Sequence, residues 1–220
     1  MLANDLRIEL RTEWSIMLCM MSIKTNVGSR AGSSPGRPRS FAPDQALAGA
    51  LDVFWHKGYE ATSLDDLTGA MGLSRSSFYA CFGSKREALM AAIRRYTDDF
   101  HREITVLAAS EPDPIRAATQ VLTRIADVQG GARGCFFVNA VVELAPHDPA
   151  LATFSRKHLA RIETLVANLA IKGGMAEPLA ADRASAALSM VMGAVMLRKA
   201  GVPQERLQAV LDQAKLLVSA

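Results

Sequence analysis

Cysteine is scarce in this chain. There are three in 220 residues, Cys19, Cys81 and Cys135, widely spaced and without a CxxC pair. An odd, sparse set excludes a disulfide framework and fits a reducing compartment, the cytoplasm. Long apolar runs are also lacking. The longest early one, Trp14–Ile23, is about half the length of a bilayer-spanning helix. Its flank is charge-balanced, and the Gly/Ser-rich stretch that follows holds no A-x-A cleavage site, so no secretion signal and no membrane partner are expected. No Val/Ile/Thr-rich alternating run occurs, and neither Asn-Gly nor Asp-Gly marks a hairpin, which leaves strands nowhere to form. A strong charge of one sign is missing as well: 25 Lys and Arg against 22 Asp and Glu give a net +3.

What is present is globular in composition, with 50% hydrophobic and 21% charged residues. The small surplus is concentrated. Residues 1–29 carry three basic and three acidic groups, residues 30–96 nine and six, and residues 97–220 thirteen of each. A polyanion-binding module beside a neutral one follows from that partition. Residues 1–29 read as an extension outside the fold, with Met20 or Met21 as candidate true starts. Residues 29–40 (SRAGSSPGRPRS) read as a flexible basic arm, so that 1–36 stands apart from the domains.

Helical signals begin at Pro43 and continue to the end. A first helix carries Ala46, Leu47, Ala50, Leu51 and Phe54 and stops at Gly58. Ser63 caps a second, which ends at Gly72; Ser74 caps a short third holding Phe78, Tyr79 and Phe82. After Gly83, Ser84 and Glu87 have capping-box spacing for a long fourth helix to about Ala109. Glu111-Pro112-Asp113-Pro114 interrupts it, and helices are expected near 114–128, 134–145, 149–171, 182–199 and 203–219. The fold class is all-α.

Residues 63–82 are two short helices joined through Gly72-Leu73-Ser74, the helix-turn-helix shape whose second helix enters the DNA major groove by its N-terminal end. The string from Phe54 to Ser63 (FWHKGYEATS), followed by Leu64–Lys85 (LDDLTGAMGLSRSSFYACFGSK), resembles the DNA-binding domain of TetR-type transcriptional regulators. The likeness is close over about 38–96. Downstream, Gly134–Pro149 (GCFFVNAVVELAPHDP) is similar to a ligand-domain helix of some members. The resemblance implies a homeodomain-like three-helix DNA-binding domain (37–96) and a helical ligand-binding and dimerisation domain (97–220). It also implies a phosphate contact by Tyr79 and homodimerisation through the last two helices. Two departures stand out. Ala80 replaces a residue that is often polar, and Thr68 and Met71 replace the usual small alanines.

Physical reasoning adds further contacts. Arg37 and Arg39 on the arm can reach phosphates or a minor groove. Thr62, Ser63 and Ser84 sit at helix starts suited to phosphate oxygens, and Lys85 adds a charge contact. Ser74, Arg75, Ser76 and Ser77 front the recognition helix, with Arg75 the best reader of a guanine edge. The expected partners are therefore a palindromic double-stranded operator, an unidentified small-molecule effector and a second copy of the chain, paired through 182–199 and 203–219. The expected activity is a repressor released from DNA by its effector.

Cys135, Asn139, Glu143 and His147 are the ligand or redox-sensing candidates. Cys135 follows Arg133-Gly134 at a helix start, where a thiol can be activated, so an electrophile or oxidant sensor of the same fold is the alternative; a buried small hydrophobe is the plainer reading. His147, Asp148 and His158 lack a third ligand at helical spacing, so no metal is expected. No cofactor is expected either. Met175, Met190, Met192 and Met196 are core filling by default. A helical enzyme with a Cys/His site is the other-class alternative, but nothing fixes the geometry of Cys135, Glu143, His147 and His158, and no nucleophile elbow or phosphate-cradling loop is present; no enzyme is expected.

Overall fold

A computed structural model describes residues 43–129 and 131–219, and every regular element among them is an α-helix. The expectations for residues 1–42, including the arm with Arg37 and Arg39, lie outside the described residues. Helix α1 spans Pro43–Lys57, α2 Leu64–Met71, α3 Arg75–Phe82, α4 Lys85–Ser110 and α5 Pro114–Ala126. Helix α6 follows at Phe136–Leu144, α7 at Pro149–Lys172, α8 at Glu177–Lys199 and α9 at Gln204–Ser219.

The boundaries follow from local chemistry. Asp113 and Asp148 cap α5 and α7, each accepting two first-turn N–H groups and each followed by a proline whose missing N–H costs nothing there. Helix α5 ends at Ala126, two residues before expected, because Asp127 turns left-handed at φ 41. The buried Arg198 holds both the carboxylate and the carbonyl of Asp127. Helix α6 starts at Phe136 rather than 134, since Gly134 lies at φ 73 and Cys135 is extended. Helix α8 begins at Glu177, five residues earlier than expected. Pro178 in its first turn is a start signal that outweighs the absence of a capping side chain at Ala176. The expected capping box of Ser84 forms only by half. Its hydroxyl accepts from Glu87 N (3.1 Å), but its own N–H goes to Phe82 O (2.8 Å).

The contacts divide the chain into two units between Arg94 and Arg95, inside α4. In the first unit Ala46, Ala50, Phe54, Leu67, Met71, Phe78, Phe82 and Ile93 are buried. In the second, α5, α7, α8 and α9 pack around Val121, Leu122, Ile162, Val166, Leu188, Val191, Leu211 and Val218. Helix α8 is long and apolar enough by length and composition to cross a membrane. In this unit that apolar content is spent on the core, where Ala180, Ala184, Ala187 and Val191 are buried against its neighbours. Of the methionines considered, Met175 is buried and Met196 is 51% exposed.

Candidate nucleic-acid interface

Helix α3 is anchored from behind. Phe78 and Phe82 pack ring to ring at 5.5 Å and are fully buried with Cys81. That fixes which face points outward. Ser74, Arg75, Ser76, Tyr79 and Ala80 are exposed and Ser77 is half-buried. Exposed Ala80 adds no polar group to this face. Before α3, the turn is made by Gly72 at φ 66, with Gly72 N–H bonded to Gly69 O (3.3 Å) and Leu73 N–H to Thr68 O (3.0 Å). A left-handed residue without Cβ ends α2 here and frees the chain for the next cap.

Ser74 caps α3. Its hydroxyl accepts from Ser77 N (3.1 Å), lies 2.9 Å from Ser76 Oγ and donates to Ser77 Oγ at 2.9 Å. Ser63 caps α2 with a complete box: Asp66 N donates to Ser63 Oγ (3.1 Å) and Ser63 N to Asp66 Oδ2 (2.9 Å). Lys57 donates to the same carboxylate at 2.6 Å. The Lys57 hydrogen bond, and then the Ser63 N–H, hold Asp66 well below the usual carboxylate range.

Arg75 lies against Asp65 of α2. Its Nε donates to Asp65 Oδ1 (3.1 Å), and its Nη2 reaches both carboxylate oxygens at 2.7 and 2.9 Å. Both side chains are well exposed, and bonding to Asp65 raises the already high pKa of Arg75. Lys85 donates to Glu60 O (3.3 Å) and sits 4.4 Å above the Tyr59 ring, so its ammonium is held over the α1–α2 loop.

Thr62 departs from expectation. It is 2% exposed, its hydroxyl donates to Gly58 O at 2.6 Å, and its N–H goes to Tyr59 O. A side chain that closes the α1 terminus from inside has nothing to offer a phosphate. Two features of this unit escaped the sequence reading. One is the Asp65–Arg75 pair, visible only as opposite charges ten residues apart in the first turns of successive helices. The other is Gly49, where an added Cβ would lie 2.4 Å from Ala70 O; the run of small residues Ala48–Ala50 was its signal.

In the second unit, the four ligand candidates do not form one cluster. Cys135 is half-buried at the start of α6, with Sγ 3.5 Å from Tyr96 Oη, and the Tyr96 ring meets Phe136 edge-on at 5.6 Å. Burial, then the neighbouring thiol, pushes the Tyr96 phenol far up, so it stays protonated. Asn139 is already committed: its Nδ2 donates to Arg133 O (3.0 Å) and its Oδ1 accepts from Lys199 (2.7 Å). Glu143 and His147 are exposed at the far end of α6 and in the turn beyond it. A nine-residue helix separates its two ends by about 13 Å, so Cys135 stands well apart from Glu143 and His147 along α6. His158, by contrast, is 4% exposed, edge-on to Phe137 at 4.7 Å and stacked with Phe154 at 6.5 Å. Its Nδ1 has no partner among the described residues.

These two units match known families in order. Residues 46–93 match the family described as bacterial regulatory proteins, tetR family. Residues 113–213 match the C-terminal domain of LmrA/YxaF-like transcriptional regulators. An uncharacterized HTH-type transcriptional regulator of Bacillus subtilis, YezE, is 30% identical over 58% of this chain and 68% of its own length. The HTH-type transcriptional repressor ComR of Escherichia coli is 34% identical over 60% of this chain and 65% of its own length. The matched part thus spans about two thirds of these relatives. Among solved structures, a cysteine mutant of the TetR family regulator CifR, complexed with 26 bp double-strand operator DNA, superposes with a TM-score of 0.70 at 29% identity. That likeness covers 82% of this chain and 98% of the other. With both family matches in the order of the two units and a relative of 30% identity matched over 68% of its length, this chain belongs to the tetR family of bacterial regulatory proteins, as a DNA-binding transcriptional regulator.

Proposed function

We propose that the protein is a cytoplasmic repressor that binds a palindromic duplex as a homodimer and releases it when a small molecule enters the helical unit. The observation that carries the reading is the exposed front of α3, where Ser74, Arg75, Ser76 and Tyr79 stand clear of a core that holds the helix by Phe78 and Phe82. Arg75 reads a base edge, while Tyr79, Ser63, Ser77, Ser84 and Lys85 meet the phosphate backbone, with Arg37 and Arg39 of the arm beside them. The ComR relative is named a repressor, and the CifR complex holds operator DNA; both support the same role here.

The dimer surface lies on α8 and α9. Met196, Leu197 and Leu216 are exposed there, and Gly193 has open space where a Cβ would stand, so a second pair of helices can approach closely. Two-fold pairing sets the two recognition helices on successive major grooves, and a ligand that alters their spacing breaks the fit at one of them. The test is a gel shift of promoter fragments neighbouring the gene, at low salt, with light scattering on the free protein. Retardation by a dimer is expected. No retardation on any fragment, or a monomer on DNA, would refute the reading.

A further inference from the structure

The contact between Arg75 and Asp65 has a chemistry that goes beyond holding two helices together. A guanidinium has two edges able to grip a planar acceptor pair. One is the side edge, formed by Nε–H and one Nη2–H; the other is the end edge, formed by Nη1–H and the second Nη2–H. Asp65 takes the side edge, through Nε at 3.1 Å and Nη2 at 2.7 and 2.9 Å. The end edge is left over: Nη1 has no partner among the described residues, and the Arg75 side chain is 64% exposed. An Arg end edge held in a plane is the fork that matches the O6 and N7 acceptors of guanine.

Asp65 is otherwise badly placed. It stands on the same exposed surface as the recognition helix, 72% exposed, where a carboxylate repels a phosphate backbone. It is not part of the α2 cap, which is built by Ser63 and the neighbouring Asp66. An ion pair this exposed adds little to stability. What it does supply is orientation. A free arginine at the first position of α3 is long and rotamer-rich, and equally able to swing to a phosphate; one clamped along its side edge presents a single fork.

We infer that Asp65 is a positioning residue for base recognition: it holds Arg75 by the side edge so that the end edge reads guanine, and it denies Arg75 to the phosphates. The inference rests on the reading of Arg75 as the base contact. It predicts an unusual sign. Removing the charge of Asp65 should make the protein bind DNA less selectively without weakening its grip on DNA in general.

The test uses the full-length protein and a randomised duplex DNA library, from which the wild-type chain selects its site. Single-base variants of the selected duplex are then titrated with wild type, Asp65→Asn, Asp65→Glu, Arg75→Ala and the Asp65→Asn/Arg75→Ala double variant. Arg75→Ala should lose about tenfold or more of its discrimination at one position of each half-site. Asp65→Asn should lose about threefold to tenfold at that same position. Its log–log salt dependence should also steepen by up to about one unit per protomer as Arg75 turns to a phosphate. Asp65→Glu should retain the preference, and the double variant should match Arg75→Ala alone. If Asp65→Asn keeps the wild-type base profile while Arg75→Ala loses it, the positioning role is refuted and the base reading survives. If Arg75→Ala keeps the profile, both fall together. A uniform loss of affinity with a lowered melting temperature in Asp65→Asn would make the pair merely structural and overturn the inference.

Discussion

Gly49 tests whether the placement of the recognition helix depends on a single missing methyl group. In α1 it faces α2, and an alanine there would put its Cβ 2.4 Å from Ala70 O and 2.9 Å from Ala70 C. A carbon and a carbonyl oxygen ordinarily approach no closer than about 3.3 Å, so α1 and α2 must part by about 1 Å. The obstacle is backbone, and no rotamer change relieves it. Two terms oppose each other. Alanine gains about 1 kcal/mol of helix propensity over glycine, whereas overfilling a packed contact costs about 1–3 kcal/mol. With backbone as the neighbour the cost lies at the upper end, for a net loss of about 2 kcal/mol. Gly69 provides the control: it is helical, on α2, and nothing lies within 4 Å of its added Cβ. Gly69→Ala should therefore gain up to about 1 kcal/mol. Urea denaturation of both variants, with titration of the selected duplex, checks the pair. Gly49→Ala should unfold earlier and bind DNA more weakly, and Gly69→Ala should unfold later. If the two variants shift the midpoint in the same direction, close approach of α1 and α2 is not what glycine at 49 serves.

Two further predictions concern pH and capping. Burial, and then repulsion by Arg161 and His101, lowers His158 from 6.5 to about 4. The unfolded chain thus takes up a proton that the folded one refuses, so stability is full above about pH 6.5 and drains as pH falls toward 4. The total is about 3 kcal/mol. Urea midpoints measured across that window should fall more steeply in wild type than in His158→Leu, and equal slopes would refute the assignment. At the α2 cap, Ser63→Ala should cost about 1 kcal/mol of stability, while Ser63→Asp keeps an acceptor for Asp66 N but sets a second negative charge beside Asp66 at the proposed DNA-facing surface. Thermal melts and duplex titrations should therefore separate the two variants: the alanine loses stability, the aspartate loses affinity. An aspartate variant with undiminished affinity would remove Ser63 from the interface.

Much of the architecture was legible because its signals are local. Gly58, Gly72 and Gly83 and the capping Ser63 and Ser74 mark element ends without reference to anything distant, and they lie where expected. The apolar spacing of 203–219 marks a helix in sequence, but where a surface for a second copy was expected, Leu207, Leu211, Ala214 and Val218 are buried within this unit itself. The misses are of another kind. Thr62 looks like a helix-start hydroxyl in sequence, but the direction of its side chain is set by how Tyr59 and Gly58 fold back on it. Asn139 reads as a ligand candidate in sequence because nothing there announces that Lys199, sixty residues on, occupies its carbonyl oxygen. The expected start of α8 at 182 passes over Pro178, which in a first turn favours helix initiation.

The capping serines bear on how tightly such a reading head can hold its target. In the free protein the first-turn N–H groups of Asp66, Ser77 and Glu87 are already donated to Ser63, Ser74 and Ser84. A phosphate oxygen arriving at these helix starts exchanges for a bond already made, so each encounter yields little net enthalpy and the bound state is left as easily as it is entered. In the homodimer proposed above, residence time would then come from both heads being seated together, since one can rebind before its partner lets go. Under that proposal, an effector that mis-spaces the pair would remove the rebinding without touching any contact to DNA, and clearance from the operator would become as fast as release of a single head.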